Sequence, residues 1–219
     1  MLMETNKINN IELRRLNPAP AEFRVESVSR EDGSVDKYIA GYAAVFEQYS
    51  TPIWGEFVEI ISRNAFDNAD MSDVVMCIDH SRAVQDVLAR SRNGEGSLSI
   101  SIDDHGLAFR FLVPDTSVGR DLVQLIERGD ISECSFAFYT RSDKWTYDQA
   151  VVDGVYDIRR VEEVAKLVDM SIVVNGQYPQ TSVSVDERSL IEASRTAQRP
   201  TPKVEATMAV ELAKMITNI

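Results

Sequence analysis

The sequence predicts a mainly β fold with helices (α+β), in which short antiparallel strands form a closed or nearly closed β-barrel. Helices flank this barrel, and a helical tail follows it. Apolar and polar residues alternate along several short segments, which is the period of strands with one buried face. A single firm helical pattern interrupts them before residue 185. Hydrophobic residues make up 44% of the 219 residues and charged residues 26%, which is typical of a globular protein with a sizeable core.

The first half of the chain consists of strand patterns joined by turn sequences. Residues 23–28 alternate, residues 31–34 predict a turn, and residues 38–46 predict a more buried strand, so the three form an opening hairpin. Residues 57–61 and 74–79 predict two further strands, the second ending at His80. Residues 97–102 and 107–113 alternate on either side of a short Asp- and Gly-containing loop, which predicts another hairpin.

The clearest helix follows. Ser117 is the predicted N-cap, an apolar stripe includes Leu122 and Ile126, and Gly129 ends the helix at C′ after about three turns. Residues 132–141 predict a strand, residues 145–160 a looser hairpin and residues 168–174 a buried strand.

Three regions are predicted along the chain. Residues 1–21 form an N-terminal arm, residues 22–184 the β-barrel domain, and residues 185–219 a helical tail. Helical stretches at 187–197 and 204–216 are separated by Pro200 and Pro202. The tail is either dispensable to the domain or packed on it as core, and the sequence leaves both interpretations open.

The charge and the cysteines exclude several classes of function. The net charge of −12, from 23 basic and 35 acidic residues without a basic cluster, argues against binding to nucleic acid. No apolar run approaches the roughly 20 residues that cross a membrane, and residues 1–15 lack the pattern of a secretory signal, so a cytoplasmic compartment is predicted. Cys77 and Cys134 have no metal-binding spacing, and neither a metal nor an organic cofactor is predicted.

Histidine and serine are the residue types with catalytic potential. His105 lies in the predicted 103–106 turn, and a solvated turn position accounts for this histidine without a catalytic role. His80 ends an apolar strand, where it would share a face with Ile78 and could be either a core residue or a general base at the rim of the barrel. Ser135 lies in an aromatic strand without a GxSxG elbow, so spacing alone makes it a weak nucleophile candidate.

An ordered series of segments gives the chain a resemblance to a known family. The segments are 41–46 (Gly-Tyr-Ala-Ala-Val-Phe), 64–66 (Asn-Ala-Phe), 79–80 (Asp-His), 87–90 (Val-Leu-Ala-Arg), 104–107 (Asp-His-Gly-Leu), 114–116 (Pro-Asp-Thr), 119–122 (Gly-Arg-Asp-Leu), 129–132 (Gly-Asp-Ile-Ser), 135–138 (Ser-Phe-Ala-Phe), 168–173 (Val-Asp-Met-Ser-Ile-Val) and 178–179 (Tyr-Pro). In their order and spacing they resemble the prohead (capsid maturation) proteases of tailed bacteriophages, over roughly residues 22–183. That family is in turn similar to the herpesvirus assembly proteases, whose barrel the resemblance implies here.

The resemblance implies a serine endopeptidase whose catalytic residues are His80, Ser135 and Asp169. Its implied substrates are the scaffolding segment of the major capsid protein, other internal prohead proteins and the protease itself, whose tail would be a site of self-cleavage. The portal is an implied further partner, and a homo-oligomer, namely a dimer, is expected. The implied location is the prohead in the host cytoplasm.

The chain departs from the family pattern at three positions, and these keep alternatives open. Cys134 stands where a small residue is usual and raises the alternative of a cysteine protease using His80. Strand alternation puts Cys134 on the core face with Phe136 and Phe138, and Ser135 on the opposite face, where it would face outward with room for a substrate. Ala137 stands where Gly is frequent. Asp169 stands where Glu is common, which leaves Glu163 as a rival acid. By loose analogy with the assembly proteases, residues 175–177 would supply an oxyanion hole. The other alternative is a non-enzymatic β-barrel that serves as a capsid scaffold or binding module.

Overall fold

Strands are the main secondary structure in a computed structural model that describes residues 11–16, 24–149, 151, 154–174 and 185–200. The strands are β1 (Glu12–Leu16), β2 (Arg24–Ser29), β3 (Val35–Val45), β4 (Phe57–Ile61), β5 (Asp73–Ile78), β6 (Val87–Arg92), β7 (Glu95–Gly96), β8 (Leu98–Ile102), β9 (Gly106–Leu112), β10 (Glu133–Thr146) and β11 (Asp157–Val173). The α-helices are α1 (Ser117–Glu127) and α2 (Val185–Gln198). The mainly β content with few helices confirms the predicted fold class.

Within the described residues, the larger sheet has seven strands around the long β10–β11 hairpin. Its order is β1-β10-β11-β5-β6-β7, and β4 also pairs with β11. β4 and β5 both run parallel to β11, whereas β1 and β11 run antiparallel to β10. The sheet is therefore mixed. The predicted antiparallel arrangement missed this because the spacing of apolar residues does not report the direction of a neighbouring strand.

The smaller sheet packs with the larger one around a single main core. Its order is β2-β3-β9-β8, all antiparallel. Buried side chains of both sheets and of α1 belong to the same apolar cluster, which includes Ile39, Phe109 and Phe111 from the smaller sheet, Met76, Phe136, Phe138 and Leu167 from the larger sheet, and Leu122, Val123 and Ile126 from α1. The two hairpins predicted in this sheet, at β2–β3 and β8–β9, are present.

The predicted closed or nearly closed barrel is not supported. Among the described strands, the larger sheet ends at β1 and β7 and the smaller one at β2 and β8, so neither sheet closes on itself. Alternation of apolar and polar residues shows that one face of a strand is buried. It does not show whether the edge strands pair with each other, so sandwiches and barrels share the pattern.

Helix α1 lies between β9 and β10 in the chain and packs on the main core. The side chain of Thr116, rather than the predicted Ser117, caps it by accepting a hydrogen bond from the Gly119 backbone N–H at 3.1 Å. Thr116 has the extended backbone of an N-cap, at φ −121° and ψ 166°. Gly129 follows the helix with φ 80°, the left-handed conformation that the prediction required at C′.

Helix α2 packs on the β10–β11 hairpin. Ile191 is buried against Phe57 and Trp145 in a second apolar cluster. The Tyr147 hydroxyl donates a hydrogen bond to the Arg195 carbonyl at 2.6 Å. The predicted helical stretch at 187–197 is thus present and attached to the sheet, while the stretch at 204–216 lies outside the described residues. The division into regions at residues 21 and 184 stays a prediction.

The predicted N-terminal arm contains a strand, β1, which no periodic pattern of its residues indicates. β1 pairs with β10 in antiparallel register, with Glu12 opposite Phe138 and Leu16 opposite Cys134. Glu12 and Arg14 are both buried, each exposing only 7% of its surface. Because the two β1 side chains that are described as buried are charged, they add no apolar period to the pattern, which explains why residues 1–21 were predicted as an arm.

Candidate active site

Neighbouring strands of the larger sheet carry two of the three predicted site residues. The register places Ser135 of β10 opposite Ser171 of β11, and Ala137 opposite Asp169. Side chains of opposed residues, and of residues two apart, lie on the same face of a sheet. Ser135 and Asp169 therefore share one face, two positions apart along adjacent strands.

His80 reaches this face from a tight turn after β5. β5 lies on the other side of β11 from β10 and ends at Ile78, opposite Ile172. Asp79 and His80 then adopt left-handed backbone conformations, at φ 46° and 56°. Such conformations cost non-glycine residues of the order of 1–3 kcal/mol each and cluster at functional sites. The expectation that His80 continues the face of β5 is wrong, because this turn redirects its ring across β11.

The three side chains form one hydrogen-bonded series. His80 Nδ1 lies 2.7 Å from Asp169 Oδ1, and His80 Nε2 lies 2.7 Å from Ser135 Oγ. An ionised carboxylate only accepts hydrogen bonds, so we assign the ring proton to Nδ1. Nε2 is then left with a lone pair that faces the serine hydroxyl. This arrangement can remove a proton from Ser135 while Asp169 holds the ring and stabilises the imidazolium that forms.

The carboxylate of Asp169 has a second cationic neighbour. Arg82 Nη2 donates to Asp169 Oδ2 at 3.1 Å, so each carboxylate oxygen has its own partner. The Asp169 side chain is 5% exposed, whereas that of Arg82 is 54% exposed. Arg82 follows His80 by two residues and was not predicted as part of the site. Its position after the Asp-His pair is the only sequence signal for it.

Ser171 fixes the backbone that carries His80 and was not predicted as part of the site. Its Oγ accepts a hydrogen bond from the His80 backbone N–H at 2.8 Å and lies 3.3 Å from the Cys77 carbonyl. The side chain is fully buried. Ser171 lies two residues after Asp169, so strand alternation would have placed it on the same face.

The rival acid Glu163 lies elsewhere on β11. It pairs with Ser142 in the register, its side chain is 48% exposed, and its carboxylate lies 3.9 Å from Arg141. Asp169 is thus the acid that the structure brings to His80.

Cys134 lies on the opposite face of β10 from Ser135. It belongs to the main core with Phe136 and Phe138 and has no exposed surface. Burial raises the pKa of the Cys134 thiol to about 12. Because the thiolate is the reactive form, this cysteine is unreactive at neutral pH.

Ser135 is not open to solvent, contrary to the expectation that it faces outward with room for a substrate. It has no exposed surface, and its Oγ lies 2.9 Å from the carbonyl oxygen of Arg14 in β1. The physical reason is β1 itself, which pairs with β10 along the stretch that contains Ser135.

The remaining predicted features lie outside this cluster. His105 lies in the β8–β9 loop with its ring 4.6 Å from that of Tyr42, as the predicted turn residue. Residues 175–177, the predicted oxyanion-hole segment, lie outside the described residues. Within the described parts of the chain, no group of three or more His, Cys, Asp or Glu side chains is arranged to hold a metal ion. In those same parts, no helix is long and apolar enough to span a membrane.

Comparisons with known proteins bear on the chain as a whole. Residues 23–196 match the family described as "Caudovirus prohead serine protease". Among solved structures, the capsid assembly protease of bacteriophage T4 is similar, with a TM-score of 0.44 and 11% sequence identity over 77% of this chain and 100% of that chain. No curated protein matches the chain.

Proposed function

The chain belongs to the caudovirus prohead serine protease family, and on this premise we propose that it is a serine endopeptidase that uses Ser135, His80 and Asp169. Its proposed substrates are the scaffolding part of the major capsid protein, other internal prohead proteins and the chain itself. The observation that carries the proposal is the hydrogen-bonded series from Ser135 Oγ through the His80 ring to Asp169, with both distances at 2.7 Å.

The proposed reaction is acyl transfer to the serine followed by hydrolysis. Ser135 Oγ attacks the carbonyl carbon of the scissile bond while His80 Nε2 takes the hydroxyl proton. His80 then gives this proton to the leaving amine, and the Asp169 carboxylate stabilises the imidazolium between the two steps. A water molecule, activated by the same histidine, releases the acyl group and regenerates the serine.

Positioning of His80 depends on two further residues. The left-handed turn at residues 79–80 is held by the Ser171 hydroxyl, which binds the His80 backbone N–H at 2.8 Å. Arg82 keeps the second oxygen of Asp169 occupied at 3.1 Å. Oδ1 of Asp169 then accepts the hydrogen bond from His80 Nδ1. For the oxyanion hole we propose backbone N–H groups of residues 175–177, which follow β11.

The alternative of a cysteine protease has less support. Cys134 is buried on the core face with a pKa raised to about 12, whereas Ser135 is in contact with the histidine. The alternative of a non-enzymatic scaffold gives no reason for a strained turn that brings an imidazole between a carboxylate and a hydroxyl.

The proposed partners follow from the family and from the charge. We propose that the chain acts inside the prohead, contacts the major capsid protein and the portal, and forms a dimer. A net charge of −12 favours protein partners over nucleic acid, because an acidic surface repels phosphate groups.

Co-expression with the major capsid protein of the same phage tests the proposed function. We expect the wild-type chain to convert the capsid protein to a shorter form that lacks its scaffolding segment, as measured by intact mass. The same chain carrying His80→Ala should leave the capsid protein at full length. A wild-type chain that assembles with the capsid protein and leaves it uncut would favour the scaffold alternative.

A further inference from the structure

Strand β1 occupies the edge of the sheet at which the proposed nucleophile lies. It is the last strand of the larger sheet and pairs antiparallel with β10, with Arg15 opposite Ser135 and Arg14 opposite Phe136. The peptide bond between Arg14 and Arg15 therefore lies beside Ser135. Adding an extended peptide to an open sheet edge is a common way in which proteins bind peptides.

The contact between β1 and Ser135 is a hydrogen bond to the backbone carbonyl that precedes Arg15. Ser135 Oγ is 2.9 Å from the carbonyl oxygen of Arg14 and 2.7 Å from His80 Nε2. The hydroxyl has one proton and two acceptors around it. With Nδ1 bonded to Asp169, the hydroxyl proton has the Arg14 carbonyl oxygen and Nε2 as its two acceptors, and in the structure Oγ donates to the carbonyl oxygen. Attack requires this proton to move to Nε2 and the carbonyl to turn so that its carbon faces Oγ.

The side chain of Arg14 lies in a buried acidic pocket. Its Nη2 donates to Glu59 Oε2 at 2.9 Å, and its Nε donates to the other oxygen of the same carboxylate, which makes a bidentate pair. The guanidinium also lies 5.5 Å from the centre of the Phe138 ring. The side chains of Arg14 and Glu59 are 7% and 2% exposed. A planar, bidentate, desolvated pair of this kind is specific for arginine.

The walls of this pocket favour a positive charge even without β1. The Arg159 guanidinium donates hydrogen bonds to the Glu59 carboxylate at 2.9 Å and to the Asp143 carboxylate at 2.7 Å. The two carboxylates and the one guanidinium together carry a net charge of one negative unit. The two β1 side chains that the structure places in this cluster, Glu12 and Arg14, carry one charge of each sign. Burial alone would raise the pKa of Glu12, but Arg159 and Arg14 outweigh burial and lower it to about 2.

β1 is also separate from the part of the chain that carries the family match. The match begins at residue 23, whereas β1 spans Glu12–Leu16. With β1 in place Ser135 has no exposed surface, so no other peptide reaches it. A strand that blocks the nucleophile, places a carbonyl on it and buries an arginine has the features of a bound substrate.

We infer that β1 is held in the active site as a substrate, that the chain first cleaves its own Arg14–Arg15 bond, and that Glu59 selects the arginine before the cleaved bond. The inference rests on the proposed serine protease function and names a site and a specificity for it. Removal of residues 1–14 opens the edge of β10 to an external peptide that carries arginine at the same position.

The step is an ordinary peptide hydrolysis within one chain. Ser135 Oγ bonds to the carbonyl carbon of Arg14 as its proton passes to His80, and the C–N bond to Arg15 breaks as the Arg15 nitrogen takes that proton. Water then hydrolyses the ester, so that Arg14 leaves with a free carboxylate. No other reactant is needed.

The mass of the purified full-length chain over time tests the site of cleavage. The wild type should lose residues 1–14 at a rate independent of protein concentration, and Ser135→Ala should stay intact. Arg14→Gln should slow the loss about 100-fold, because it removes one partner of a buried charged pair. Arg15→Gln, a matched change one residue along, should stay within a few-fold of wild type.

A second measurement tests Glu59 in a way that does not depend on how much of a variant folds. The cleaved enzyme is given two peptides of the β1 sequence, one with arginine and one with glutamine before the bond, and the ratio of the two kcat/KM values is compared. Glu59→Gln should lower this preference for arginine at least tenfold. Glu163→Gln is the control, since this half-exposed acid lies outside the pocket of Arg14, and it should keep the preference.

Three results would overturn the inference. The first is a wild-type chain that cleaves a capsid peptide while its Arg14–Arg15 bond stays intact. The second is equal slowing by Arg14→Gln and Arg15→Gln, and the third is an unchanged preference for arginine in Glu59→Gln. A chain that cleaves nothing would instead overturn the proposed function, and this inference with it.

Discussion

Replacement of Ser135 by alanine is expected to lower kcat for peptide cleavage by about 10⁶-fold, the size of the loss when a serine protease loses its nucleophile. Nothing else on this face of β10 can replace the hydroxyl that lies 2.7 Å from His80 Nε2, because Cys134 points into the core. The rate should be measured with a peptide substrate on protein whose folding has been verified by circular dichroism.

Cys134→Ala is the matched control for this loss. It removes the neighbouring candidate nucleophile, whose thiol has a pKa of about 12 and is fully buried. Activity should stay within about tenfold of wild type, with a cost in stability of about 1–3 kcal/mol from the lost packing. Full activity in Ser135→Ala together with inactivity in Cys134→Ala would reverse the assignment of the nucleophile.

The second large effect is expected at Asp169. An asparagine there is expected to lower kcat by about 10⁴-fold, because its amide cannot fix the tautomer in which Nδ1 carries the proton and Nε2 accepts from the serine. Asp169 Oδ1 is the partner of Nδ1 at 2.7 Å. The measurement is steady-state cleavage of the same peptide by Asp169→Asn.

Glu163→Gln gives the comparison for Asp169→Asn. The Glu163 side chain is half exposed and its carboxylate lies 3.9 Å from Arg141, a surface pair of the kind that contributes at most about 1 kcal/mol. We therefore expect near wild-type activity. Equal losses in the two variants, or a larger loss in Glu163→Gln, would remove Asp169 from the proposed role.

Much of the site could be predicted from the sequence once the resemblance was taken into account. The resemblance carried by the ordered segments implied His80, Ser135 and Asp169, which lie within hydrogen-bonding distance in series. Strand alternation correctly put Ser135 and Cys134 on opposite faces of β10. Alternation works here because the two faces of a strand differ in what they contact. The hairpins of the smaller sheet and the end of α1 at Gly129 were predictable for similar local reasons.

The rest depended on contacts between distant parts of the chain, which local patterns do not encode. The turn at Asp79 and His80 is held by Ser171, 91 residues further on. β1 was missed because Glu12 and Arg14, its side chains described as buried, are charged. Their burial is compensated only by ion pairs with Arg159 and Glu59, which lie far away in the sequence. The open, mixed sheets were missed because alternation reports neither strand direction nor closure of the edges.

Covalent labelling with a fluorophosphonate tests the central claim most directly, because this reagent forms a stable adduct with an activated serine. The label is applied to a preparation that cleaves the peptide substrate, and the modified residue is located by peptide mass mapping. We predict one adduct, on Ser135, that is retained in Cys134→Ala and lost in His80→Ala, since activation of the hydroxyl requires the imidazole. An adduct on another residue, or an active enzyme whose Ser135 stays unlabelled, would contradict the proposed role of Ser135.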